Sequence, residues 1–278
     1  MTPTVTPVLA LVIFAAGAAA GGLGALLGIG GGVFLVPLLN IGLGFPISVA
    51  AAISLATVIA TSSTVTAGKA GQQLMNFRFG MVLEVATAAG SVLGGLTVQM
   101  LAQATLQKIF GVVTGAIALA TVARSRRRNV ILDPNADPGR LGGRFHDEET
   151  GGIVIYRIKR IPLALGASFI AGNVSSLLGI GGGVIKVPVL NGWCGMPLRA
   201  AAATSAFMIG VTATAGVIIY YVNGQLLPTA AAAAILGVQL GSFFGLKASP
   251  HMPIQSLKLL LAVVLGAVAV VMFARGVR

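Results

Sequence analysis

The stretch Gly28-Ile29-Gly30-Gly31-Gly32-Val33 returns as Gly179-Ile180-Gly181-Gly182-Gly183-Val184, and the reading of these two copies decides the fold. A segment of small apolar residues leads into each copy. A Pro (Pro37, Pro188), an Asn (Asn40, Asn191) and a second Pro (Pro46, Pro197) follow, all at one constant offset of 151 residues. The chain is therefore a duplication, with residues 1–124 as the first repeat, 125–159 as a polar insert and 160–278 as the second repeat. The apolar run from residue 5 to Leu39 is too long for one crossing. As a straight helix it would extend about 50 Å at ~1.5 Å per residue, against a hydrocarbon core of about 30 Å. It has to break, and the glycines are where a backbone breaks most easily.

With 56% hydrophobic and 9% charged residues over 278 positions, and a mean hydropathy of +0.97, the chain has too little polar surface for a soluble protein. At about 20 residues per span, the fold class is an all-α integral membrane protein of about eight transmembrane helices in two homologous halves, interrupted at both glycine motifs. The expected spans lie near 5–27, 46–67, 80–99, 105–123, 161–179, 197–221, 227–246 and 254–274. Four spans per half relate the halves by an axis along the membrane normal. An odd number, which one miscounted half-span would produce, inverts them.

The net charge of +12 would point to nucleic acid in a soluble chain, but its placement points elsewhere. Nine of the eighteen Lys and Arg lie between Arg124 and Arg160, and five of the six acids share that insert. A cationic loop beside membrane spans is a topology signal, with anionic lipid headgroups as its neighbour. Placing the insert in the cytoplasm also places Lys69, Arg78 and, on an eight-span count, both termini there, in the cell membrane. The insert reads as a linker with a small hairpin around Gly152 to Tyr156. The lone Cys194 excludes an internal disulfide, and no metal-binding or paired-carboxylate spacing occurs, so neither an enzyme nor a cofactor is expected.

A glycine break in a membrane helix bares backbone N–H groups at a helix start, where an anion can bind. Broken helices at matching places in two repeats mark the binding site of a transporter. Neither copy is followed by the Lys-Ser or Lys-Thr of a phosphate-binding loop, which argues against a nucleotide.

These motifs, together with Pro197-Leu198-Arg199-Ala200 through Ser205 and Phe207 to Thr212, resemble the TauE/SafE family of sulfite exporters over nearly the whole chain apart from the insert. The resemblance implies export of a small sulfur-containing anion such as sulfite or an organosulfonate, sulfoacetate among them. Uptake of thiosulfate or another small organic anion, and a channel-like pore, are the alternatives. A homo-oligomer is left open.

The candidate substrate contacts are Gly28, Gly30, Gly31, Gly32, Gly179, Gly181, Gly182 and Gly183, with Asn40, Ser54, Thr57, Asn191, Thr204 and Ser205 completing an oxyanion shell. Lys186 interrupts an apolar run where the first repeat has Leu35, and Arg199 stands where it has Ser48; a membrane cation is a site hypothesis by default. Glu84, the one acid outside the insert, is the candidate coupling group. Rocking of one half against the other would give alternating access.

Overall fold

The computed structural model describes residues 6–27, 30–69, 74–123, 137–147, 152–248 and 254–277. The first repeat contains α1 (Pro7–Leu27), the short α2 (Gly32–Pro37) continued as a π-helical turn (Leu38–Gly42), α3 (Ile47–Lys69), α4 (Phe77–Val98) and α5 (Gln103–Ala123). The second contains α6 (Ile161–Leu178), α7 (Gly183–Gly192), α8 (Leu198–Val222), α9 (Pro228–Ala248) and α10 (Ile254–Val277). Between them lies a hairpin of β1 (Gly143–Asp147) and β2 (Gly152–Tyr156), antiparallel with Phe145 opposite Val154. The helices α1, α3, α4, α6, α8 and α9 are long and apolar enough over their described residues to cross a membrane.

Close contacts between small residues fix the direction of each helix. Gly17 lies against Ala234 and Gly21 against Val238, so α1 and α9 run parallel; Gly241 packs on the Ala18 carbonyl so closely that a Cβ would overlap it. The equivalent pair in the other repeat, α4 and α6, is also parallel, with Thr87 on Gly172 and Asn173 on Gly94. Small residues permit this approach where lipid gives helices little hydrophobic reason to associate. By contrast, α3 and α8 are antiparallel: Ser62 donates to the Ala206 carbonyl while Leu55 reaches Gly216. So are α5 and α10, where Gly111 meets Ala269 and Gly276 meets Ala104.

Because α3 and α8 are equivalent helices, as are α5 and α10, their antiparallel packing requires a two-fold axis lying in the membrane plane. The repeats are inverted. The axis along the membrane normal expected from four spans per half is corrected by α2. With Gly30 beside Val58 and Gly32 beside Ser54, α2 runs back against α3 and returns the chain from the end of α1 to the start of α3. Five helices, one of them about half-length, therefore make each repeat. The chain enters α1 and leaves α10 on one face, and the insert joins α5 to α6 on the other. The insert and the termini accordingly cannot share the cytoplasmic side.

The largest helix contacts, α1 with α9, α4 with α6, α5 with α10 and α3 with α8, all cross between repeats. The two halves are interleaved, and neither can rock as a separate body. The hairpin is more than a linker. Phe145, Val154, Tyr156 and Ile158 are buried with Phe79, Leu83, Leu190, Cys194 and Met196, capping the ends of α4, α7 and α8. Asn76 pins this cap: its Nδ2 donates to the Leu141 carbonyl at 2.8 Å and the Tyr156 hydroxyl at 3.3 Å, and its Oδ1 caps α4 at the Phe79 N–H.

Candidate anion site

The second glycine motif breaks the chain between α6 and α7. Gly179, Gly181 and Gly182 take φ of 73°, 83° and 70°, left-handed values that a Cβ disfavours. This reversal lets α7 start inside the protein, its first turn beside two buried hydroxyls. Ser175 flanks Gly182 and Ser205 flanks Gly183, and among the described residues neither hydroxyl has a hydrogen-bond partner. Such groups are rare in a packed interior and call for a ligand or a water. Ser175, Ile180, Gly182 and Val184 line a narrow crevice here that has no room for a water-sized sphere, so a ligand would have to widen it.

One turn into α7, Lys186 is only 2% exposed. Its Nζ donates to Thr212 Oγ1 at 3.0 Å and lies 3.7 Å from Glu84 Oε2. The single Thr212 hydroxyl proton has two acceptors in range, Glu84 Oε1 at 2.7 Å and the Met208 carbonyl at 2.9 Å. Glu84 is 7% exposed, and its Oε2 is buried without a hydrogen bond. Each ion alone would be strongly disfavoured in such surroundings; the pair is tolerated because each neutralises the other. The pair sits in a polar belt shared by helices of both repeats: Ser91 donates to the Thr212 carbonyl and Tyr220 to the Ser176 carbonyl at 2.9 Å.

The family described as Sulfite exporter TauE/SafE matches residues 13–272. The chain belongs to the TauE/SafE family. It is 23% identical over 262 residues to the probable membrane transporter protein YunE of Bacillus subtilis (strain 168), covering 92% of this chain and 94% of that protein. No solved structure matches. The molecule is thus a multi-pass membrane transporter.

The remaining sequence candidates divide cleanly in this TauE/SafE chain. Gly181, Gly182, Gly183, Lys186 and Ser205 come together at the start of α7. Gly28 lies outside the described residues, while Gly30, Gly31 and Gly32 surround the start of α2, which has six residues against ten in α7. That start is occupied: Ser54 Oγ donates to the Gly179 carbonyl at 2.6 Å, directly beside Gly32. Ser54 therefore ties the two breaks together, and Thr57 donates within its own helix to the Ser54 carbonyl.

Asn40 and Asn191 are staples. Each donates Nδ2 to a carbonyl five residues on, Phe45 at 2.7 Å and Met196 at 2.9 Å, closing the same loop in both repeats. Thr204 accepts the Asn76 N–H at 3.0 Å and so helps start α4. Arg199 is exposed in the first turn of α8, apart from the Lys186 cluster. These four residues lie at helix starts and loop closures, which recur beside any half-helix. Sequence reasoning missed Ser175, Ser176 and Thr212. The available signal was asymmetry, since the first repeat has Gly24 and Ala25 opposite Ser175 and Ser176. Cys194 is buried beneath the cap, and burial raises its thiol pKa more than the nearby Arg160 lowers it, leaving it a poor nucleophile.

Proposed function

We propose that this protein carries a small sulfur oxyanion, sulfite or an organosulfonate, out of the cell by alternating access, binding it at the start of α7 between Lys186 and the Ser175 and Ser205 hydroxyls. The observation that carries the reading is a buried lysine one turn along a helix whose broken start is flanked by two unpartnered hydroxyls, within a family of sulfite exporters. Lys186 supplies charge, the hydroxyls supply directed hydrogen bonds, and the N–H groups of the α7 first turn complete the shell. Inverted repeats supply the alternation: two arrangements of one fold become interchangeable by symmetry, each opening to one side. Because the repeats interleave, the shift runs through the paired interfaces α3–α9 and α4–α8 rather than between halves.

The face on which the insert lies carries most of the described positive charge, including Arg78, Arg140, Arg144, Arg157, Lys159, Arg160 and Lys247, which supports a cytoplasmic insert and outside termini. A cleft of about 420 Å³ opens on the insert face between the ends of α3 and α9, lined by Thr64, Gly68, Phe243 and Lys247 among others. On the opposite face Gln99 and Gln225 exchange paired amide hydrogen bonds of 3.1 and 2.9 Å.

Sulfite flux in proteoliposomes tests the assignment. Wild type should show saturable flux with counterflow, whereas unsaturable flux would mean a pore. Lys186→Met alone strands Glu84 and should destabilise the fold by about 3–5 kcal/mol. The double variant K186M/E84Q removes both charges and should fold yet lose at least tenfold in sulfite affinity. Wild-type affinity in the folded double variant would remove Lys186 from the site.

A further inference from the structure

The proposed site already contains an anion of its own. Lys186 and Glu84 form one neutral unit, joined through Thr212 across the two repeats, and the duplication has no second copy of it: the position equivalent to Lys186 is Leu35, and that equivalent to Glu84 is Ile235. A monoanion entering beside this pair would leave a net negative charge in a medium of low dielectric, which is strongly disfavoured. Neutrality returns when Glu84 takes up a proton.

We propose that the transported anion replaces the Glu84 carboxylate as the partner of Lys186 and crosses the membrane together with one proton held by Glu84. This rests on the anion-carrier reading above. The charges balance: a carboxylate and an ammonium take up one proton and one monoanion, giving a carboxylic acid, an ammonium and a bound anion, with no net charge moved. The released Thr212 hydroxyl and the new carboxyl O–H become donors for the anion. The same bookkeeping defines the substrate class. Glu84 is the only acid outside the insert, so the helices supply one proton site, and the site suits monoanions such as bisulfite or a simple sulfonate over dianions.

No other described group competes for this role. The helix α6 carries no titratable side chain. On α7 Lys186 stands alone. Along α8, Arg199 lies in the first turn, while Tyr220 and Tyr221 lie near the last, Tyr220 donating to Ser176. Within α4 itself Arg78 occupies the first turn, and above it the cap offers Tyr156, bonded to Asn76.

Calorimetric titration of the full-length protein with methanesulfonate, a monoanion at every pH used, and with sulfite, in buffers of different ionisation enthalpy, counts the protons taken up per anion. For methanesulfonate one proton per anion is expected, with Kd rising about tenfold per pH unit wherever Glu84 is ionised, and sulfite should take up one more wherever it is a dianion in solution. In Glu84→Gln the methanesulfonate slope should flatten to less than twofold per unit and its proton count should fall to zero. A wild-type count of zero, or a slope that persists in a folded Glu84→Gln, overturns the proposal while leaving anion transport in place. If Glu84→Gln does not fold, the wild-type count alone decides. Absence of binding by both anions removes this inference and the carrier reading together.

Discussion

The Thr212 hydroxyl accepts from Lys186 and offers its one proton to Glu84 or to its own helix, so it holds two charges that otherwise meet only at 3.7 Å. Thr212→Val keeps the side-chain shape and removes this bridge, leaving Glu84 Oε1 without its donor. A buried polar group stripped of its partner costs about 1–3 kcal/mol, so Thr212→Val should lower the detergent melting temperature while Thr212→Ser restores most of it. Equal melting of Thr212→Val and wild type would show that the bridge carries no weight. Lys186 and Glu84 were legible in the sequence because a charge inside an apolar run is conspicuous. Which cation partners Glu84 was not, since α4 and α7 are far apart in the chain and the 3.7 Å approach arises only from their packing. The serines at 175 and 176 were not legible either, because a serine among small residues reads equally well as helix packing.

At the scale of elements, the glycine motifs were plain in sequence, but their consequences differ between the repeats. The second supports a ten-residue α7, whose start is open to two hydroxyls. The first leads into six residues of α2 and a π-helical turn, beside the bond from Ser54 to Gly179. Repetition shows that both motifs break a helix; it does not show which break is filled by its neighbour. Gly182 caps α7 at φ 70°, with the Ala171 carbonyl and Ser175 where a Cβ would lie. Gly182→Ala should therefore destabilise the protein by about 1–2 kcal/mol and weaken anion binding together. Gly166→Ala, in the body of α6 with open space at its Cβ, should be neutral or slightly stabilising. If Gly182→Ala melts and binds like Gly166→Ala, the left-handed reversal is not what shapes the site.

For the molecule as a whole, sequence established the duplication and the membrane setting, yet left open whether the repeats are related by an axis along the membrane normal or are inverted. The reason is physical: an apolar half-helix after a glycine break has the same composition whether it continues outward or doubles back, and only its contacts with α3 tell the two apart. Doubling back changes the parity of each repeat and hence the side on which the chain ends. Arg78, Arg144, Arg157, Lys159, Arg160 and Lys247 belong to the insert face, while Lys108 and Arg275 belong to the face of the termini, a strong positive-inside bias. Single cysteines placed at Thr6 and at Gly139, in a Cys194→Ser background, should respond oppositely to a membrane-impermeant maleimide in intact cells. Thr6→Cys should label from outside, and Gly139→Cys only after permeabilisation. Labelling of both from the same side would contradict the five-helix repeat, because an inverted pair with an odd number of crossings must place the termini and the connecting insert on opposite faces.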